Sequence, residues 1–506
     1  MKTPVSPIQK IIWFQKSCYV ILGLVTLSFF SFVSSTRNLN LQHTPVKTQD
    51  TGQNIQIKDY ISKKALGILH YPMSVKRFYA QRTYQSIWIG RDKEIKKTWE
   101  AMLMLDCVLQ FGLSHDDYHP KVLIYDKLHQ IIDQPDRISE GKKIEFEVLL
   151  TDAVITLMNH LHYGKLNALY TNTVVDAGNI QSFKAENTLA HALEDKDFIA
   201  TVLGVQPTST QYILLQRYMT LIKGQYLDDC YEVPEAEVRK IAINMERLRW
   251  ANISGKNYIQ INIPAYTLTY HHGDSSYVFK TVVGRPGNPT PTIQSVITYF
   301  KTAPDWSVPK RIFIKELLPK AIKDKSYLEN NHFSIYNLNG NYVSPNLAQL
   351  IKIKNDPDNY FARQSPGCDH ALGLIAFRFP NQYNVYLHDT PEKQLFNKKI
   401  RALSQGCIRV QDAEKLATLL LKYDNSENEL YSMNTAIANY KPKQFYLKDP
   451  VPLNINYLTC EMQDGLLMVY DDIYNQDDAL EMALYNLTKK PVTKKPIVIK
   501  RPDINQ

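Results

Sequence analysis

Apolar and polar positions alternate with two different periods along this chain. From about residue 56 to 250 apolar residues recur three and four apart, as in KKTWEAMLMLDCVLQFGL (Lys96–Leu113) and EFEVLLTDAVITLMNHLHYG (Glu145–Gly164). That spacing predicts amphipathic helices, with loops around Pro120 and Pro135. After Trp250 the period falls to two. YIQINIPAYTLTYHHGDSSYVFKTVVG (Tyr258–Gly284) reads as two strands joined by a hairpin at HHGDSS. Residues 300–365 lose the alternation and are rich in prolines and asparagines, which marks an insert. Strands resume over Phe377–His388, and DAEKLATLLLKY (Asp412–Tyr423) turns helical with Leu416, Leu419 and Leu420 on one face. A last strand pair, Val451–Leu458 and Leu466–Tyr470, closes the pattern. The fold class is α+β, a helical region followed by a mainly β one.

The ends of the chain carry different signals. Lys2, Lys10 and Lys16 precede an apolar, uncharged run, Ser17–Val33, with Ser34 and Ser35 after it. Residues 1–35 are therefore either a cleaved secretory signal or a signal anchor in the membrane, and both place the body outside the cytoplasm, in the cell envelope or periplasm. Residues 36–55 are a polar linker. The expected organisation continues as a helical domain over 56–250, a sheet-rich domain over 251–440 with its insert at 300–365, terminal strands and a helix over 441–488, and a basic tail over 489–506. That tail holds much of the net charge of +9: Lys489–Pro502 contains six basic residues and no acid. With no zinc spacing, RNA-binding motif or base-reading basic helix, nucleic acid is excluded as a partner, and an anionic wall or membrane surface fits the charge better.

The candidate chemistry lies in LHDTPEKQLFNKKIRALSQGCIRV, where His388 and Cys407 stand nineteen residues apart. YNVYLHDT (Tyr383–Thr390) reads as a strand with Val385 and Leu387 on one face and Tyr386 and His388 on the other. Cys407 follows Gly406 in a tight turn ahead of the Asp412–Tyr423 helix, whose positive end would favour a thiolate. An imidazole can take the thiol proton, and the amides of Gly406 and Cys407 can hold an oxyanion. Ser404 can hydrogen-bond within the turn, and Arg409 shares the face of the thiol if the chain is extended. The plainer alternative is a buried structural cysteine and an unrelated strand-capping histidine. The six cysteines show no CxxC and no paired framework. Cys107 reads as core, and Cys368, with His370 two residues on, is the rival nucleophile. His160 and His162 cannot share one helix face, His271 and His272 sit at a hairpin tip, and no metal site is assigned.

The pattern His388, a spacer, then Ser404-x-Gly406-Cys407-x-Arg409 resembles the signature of the L,D-transpeptidases, with their YkuD-type catalytic domain. ALGLIAFRFPNQYNVYLHDTP (Ala371–Pro391), VVGRPGNPTP (Val282–Pro291), NMERLRW (Asn244–Trp250), LLTDAVITLMNHLHYGK (Leu149–Lys165), KRFYAQRTYQSIWIG (Lys76–Gly90) and YLTCEMQDG (Tyr457–Gly465) resemble the large YcbB-type branch, in order along the chain. The resemblance implies a mainly β-sandwich catalytic domain with a capping insert, carried on a helical scaffold. The branch's small peptidoglycan-binding module has no room between residues 205 and 245. Gln405 stands where many members have histidine.

By the same resemblance Cys407 is the nucleophile and His388 the general base and acid, oriented by the backbone carbonyl of Asp389. Gly406 contributes a backbone oxyanion donor, and Tyr386, Ser404, Arg409 and Trp306 bind substrate. No cofactor is implied. The expected activity forms 3→3 cross-links between peptidoglycan stem peptides through a cysteine acyl-enzyme, with release of terminal D-alanine, and carbapenem-type β-lactams would acylate the same thiol. An L,D-carboxypeptidase or endopeptidase using the same pair, and a non-catalytic wall scaffold, are the competing readings.

Overall fold

The computed structural model describes residues 51–63, 67–89, 92–224, 235–251, 255–367 and 369–487. The signal or anchor, most of the linker, the basic tail, Cys18, Cys230 and Cys368 lie outside them. Among the described residues, no helix is long and apolar enough to cross a membrane. The chain divides into two compact units, residues 1–252 with 460–468 and 476–506, and residues 253–459 with 469–475.

The first unit is helical and built on the helix Glu140–Tyr163. Sequence periodicity suggests an amphipathic helix here. The structure instead buries it on nearly every side, including Thr151, Asp152 and Asn159. Its buried carboxylates have partners, as a buried charge requires. Glu147 accepts the amides of Ile87, Trp88 and Ile89 and the hydroxyls of Ser86 and Tyr79. Asp152 accepts the amides of His70 and Tyr71. Both side chains thereby pin loops that would otherwise leave donors unsatisfied. Residues 460–463 pair with 466–469 in a short hairpin. The helix Asp477–Leu484 joins the unit through Asp477, which pairs with Arg247 (2.7 Å) and Lys240 (3.2 Å).

The second unit holds the sheet. Its strands are β1 (Asn257–Asn262), β2 (Thr267–His272), β3 (Ser275–Gly284) and β4 (Ile293–Thr302). The insert contributes β5 (Trp306–Ser307), β6 (Phe333–Asn337), β7 (Tyr342–Val343) and β8 (Tyr360–Gln364). After it come β9 (Ile375–Arg378), β10 (Leu387–His388), β11 (Ala402–Ser404), β12 (Ile408–Val410) and β13 (Lys443–Asn456). Pairing runs β2–β3–β12–β10–β9–β4–β13–β1 and returns to β2, with β11 branching from β3. The expected sandwich is thus hydrogen-bonded round a closed circuit. Ile259, Phe300, Phe377, Leu387, Ile408 and Leu453 fill its interior, and the helix Ala413–Tyr423 packs Leu416, Ala417, Leu420 and Leu421 into the same core.

Two expected boundaries move. The domain end placed at 440 falls inside this unit, because β13 lies between β4 and β1 and pairs with both. Leu466–Val469 pairs with the hairpin strand at 460–463 and not with the strand expected to begin at Val451. The insert forms a separate four-stranded sheet, β5–β8–β6–β7, with helices and a small core of its own around Phe313, Leu318, Ile335, Ile353 and Ala362.

Candidate active site

Strand register brings four of the expected residues, Cys407, His388, Tyr386 and Arg409, onto one face. β10 pairs antiparallel with β9 (Leu387↔Phe377, His388↔Ala376) and parallel with β12 (Leu387↔Ile408, His388↔Arg409). Phe377, Leu387 and Ile408 are fully buried in the interior. Their chain neighbours must therefore point to the other side. One row of that outer face reads Cys407, Tyr386, Arg378, and the next reads Arg409, His388, Ala376. Cys407 and His388 are diagonal neighbours on adjacent strands, about 7 Å apart at the backbone and within reach of an imidazole.

The strand expected over Tyr383–Thr390 is shorter than its pattern. Only Leu387 and His388 pair, because Asn384 takes a left-handed φ of 55° and breaks the run. The kink sets the Asn384 carbonyl 3.9 Å from the Cys407 sulfur, which donates to it. Tyr386 approaches the same sulfur with its amide and its phenol. Its ring centre lies 5.6 Å from that of His388.

His388 is buried, and its Nδ1 is hydrogen-bonded to the Asp389 carbonyl. A carbonyl only accepts, so Nδ1 carries the proton and Nε2 keeps its lone pair. The Asp389 side chain is separately engaged, accepting the Leu374 amide (3.1 Å) and Lys393. Gly373 lies beneath it at φ 60°, where a Cβ would come within 2.5 Å of the Asp389 carboxylate.

Burial pushes the His388 imidazole down to about 3, and the Arg409 guanidinium adds to the effect. Burial also pushes the Cys407 thiol up, outweighing the Tyr386 donors and the positive field of Arg378 and Arg409. Both shifts favour neutral partners. Burial thus works against the resting thiolate that the helix end was expected to favour. The helix cannot reverse this, since β12 separates Cys407 from its first turn at Ala413.

The turn around Gly406 differs from expectation in one donor. Gly406 N–H donates to Ser404 Oγ (3.1 Å), whose hydroxyl donates to the Cys407 carbonyl (2.6 Å). Gly406 is thus occupied and is no free oxyanion donor; it supplies a φ of 117°, which favours glycine. Among the described residues the Cys407 amide has no partner. Thr290 Oγ1 supports the turn by donating to the Gly406 carbonyl (2.8 Å) and accepting the Gly284 amide (2.9 Å). Tyr474 holds the same corner through Gly284 O and Thr290 N.

Gln405 links the turn to the insert. Its Nε2 donates to Glu316 Oε1, and its Oε1 accepts from Arg285 (3.1 Å) and Asn288. Arg311 of the insert also reaches Asn288. Trp306 on β5 packs against Phe333 and has its indole beside the Tyr386 side chain. Tyr336 stacks on Phe361 within the insert. Arg409 pairs with Glu392 at 2.6 Å, bracing the segment after His388. Arg378, Thr290, Asn384 and Glu316 escaped sequence reasoning. Only Arg378 left a signal, as a charged residue on the Tyr386 face of an alternating strand.

Among the described residues, the group with metal-ligand geometry is His70, His119 and Asp152, in the helical unit. The Asp152 oxygens already take two amides and His119 Nε2 (2.7 Å), so the cluster is accounted for by loop anchoring. His160 bonds Tyr118 and His162 bonds the Val205 carbonyl, in separate directions. His271 stacks on Tyr258 and His272 on Tyr423.

Residues 256–451 match the L,D-transpeptidase catalytic domain, and residues 73–219 match a Scaffold domain. The chain is 31% identical over 436 residues to a Haemophilus influenzae protein named "Putative L,D-transpeptidase", covering 83% of this chain and 82% of that one.

The chain belongs to the L,D-transpeptidase family.

L,D-transpeptidases of this type are cysteine-dependent and act on peptidoglycan. Their catalytic domain here comprises the closed sheet, the insert and the Ala413–Tyr423 helix, and Cys407 and His388 stand on its outer face.

Proposed function

We propose that this L,D-transpeptidase forms 3→3 peptidoglycan cross-links in the cell envelope, with Cys407 and His388 as its reacting pair. The observation that carries the proposal is their placement on one sheet face, with the imidazole fixed as its Nδ1–H tautomer by Asp389. His388 Nε2 removes the thiol proton as Sγ attacks the carbonyl of the third stem residue. The tetrahedral oxyanion meets the Cys407 amide in the positive field of Arg378 and Arg409. His388 returns the proton to the leaving nitrogen, D-alanine departs, and a thioester remains. An amine from a neighbouring stem then gives up a proton to His388, attacks the thioester and regenerates the thiol.

Tyr386 and Trp306 line the donor channel, Ser404 sets the turn, and the insert limits water. Carbapenem-type β-lactams fit the same step, because their lactam carbonyl can occupy the position of the scissile amide. The Ser17–Val33 segment would deliver the chain across the inner membrane as signal or anchor. Incubation of the protein with purified tetrapeptide muropeptides, followed by mass spectrometry, tests the reading. Dimers joined through the third residues, with free D-alanine, are expected. Tripeptide products alone would assign an L,D-carboxypeptidase, and no reaction would remove the enzymatic reading.

A further inference from the structure

The outer face carries a cation that the chemistry above uses only for its field, with no partner assigned to its guanidinium. Arg378 stands on β9 opposite Tyr386, two strands from Cys407 and in the same row. Its guanidinium lies 4.0 Å from the centre of the Tyr386 ring. The stack fixes the planar fork against the residue that also touches the nucleophile. Arg378 is half-buried, and among the described residues it makes no ion pair and no side-chain hydrogen bond. Arg409, on the adjacent row, is instead spent on Glu392. A partly desolvated guanidinium gains most from an anion that completes its donors, and carboxylate matches its fork.

We propose that Arg378 binds the C-terminal carboxylate of the residue that leaves from the donor stem, so that the site selects donors ending one residue beyond the scissile bond. The inference rests on the transpeptidase reading for its substrate. Only that carboxylate combines the right charge with a fixed short distance from the attacked carbonyl, three bonds along the chain. Adjacent strands lie about 4.8 Å apart, so a side chain two strands from Cys407 can meet a group held just past the scissile bond. Tyr386 is the common wall between the two. A donor extended by one residue, or blocked as an amide, offers Arg378 no anion at that place.

The test separates binding from turnover. In full-length Cys407→Ala protein, calorimetry would compare a tetrapeptide stem carrying a free C-terminal carboxylate with the same peptide as its C-terminal amide. Roughly ten- to hundredfold tighter binding of the acid is expected, the range of a charge-assisted hydrogen-bonded pair. Adding Arg378→Gln should bring the acid down to the amide's affinity and leave the amide unchanged. Arg378→Lys should recover part of the preference through charge alone. Acid preference that survives Arg378→Gln, or a Cys407→Ala parent with no acid preference, overturns the inference. Failure of the active protein to release D-alanine would count against the transpeptidase reading, and the binding comparison would still decide the role of Arg378.

Discussion

His388→Ala separates two reactions of one thiol. With its pKa pushed down to about 3 by burial, the imidazole is almost wholly uncharged at pH 7. Converting that shift gives about 5 kcal/mol against charging the ring in the resting enzyme. The thiol is held neutral by burial, and no neighbouring imidazolium supports a thiolate. Removing the imidazole should therefore leave alkylation by neutral iodoacetamide at pH 7 within about threefold of wild type. Acylation by a tetrapeptide donor needs a base during attack, and should fall by about 10²- to 10⁴-fold. Both rates can be followed by intact-protein mass spectrometry. In wild type, alkylation should climb through pH 9, while acylation stays level from about pH 5 to 8 and falls as His388 takes a proton below about pH 4. An alkylation midpoint below pH 7, or equal losses in the two reactions, would mean a preformed thiolate–imidazolium pair and refute this reasoning.

The same burial acts on stability. The depressed histidine binds fewer protons folded than unfolded, so its contribution is present above about pH 6.5 and is lost toward pH 3, at up to about 1.4 kcal/mol per pH unit; a thermal melt series in which His388→Gln shows no shallower acid slope would contradict it. Gly373→Ala should drive a methyl group into the Asp389 side chain and cut acylation at least tenfold, while iodoacetamide still labels Cys407; unchanged acylation would show that Asp389 tolerates displacement. Gln405→Glu sets a carboxylate against Glu316 and should slow acylation, and Glu316→Gln in the same chain should restore much of it, because the contact is then remade with its polarity reversed; a double variant no better than the single one would remove Gln405 from the coupling between turn and insert.

Local patterning revealed the site more fully than the fold around it. The faces of Tyr386 and His388 followed from alternation, and the helix over 413–423 followed from its period. The strand at 383–386 did not form because one asparagine in a left-handed conformation outweighs four residues of favourable pattern. The helix at 140–163 looked amphipathic because Glu147 and Asp152 are polar. Their partners lie 33 to 82 residues away, where no local window finds them. The placement of β13 had the same cause, since its parallel partner β1 lies nearly two hundred residues upstream. Gly406 shows a finer limit. Sequence placed its amide at the site, and only the fold shows that Ser404 Oγ takes it. Arg378 left only the weak signal of a charged residue in an alternating strand, which matches no motif.

The most direct test of the account is the covalent intermediate itself. Wild-type protein should be mixed with a tetrapeptide donor in the absence of an acceptor and quenched in acid within seconds. An intact-mass increase equal to the donor minus alanine is expected, mapped by peptide digestion to the segment containing Cys407 and absent from Cys407→Ala. An adduct mapped to Cys368, or release of D-alanine by Cys407→Ala at the wild-type rate, would contradict it.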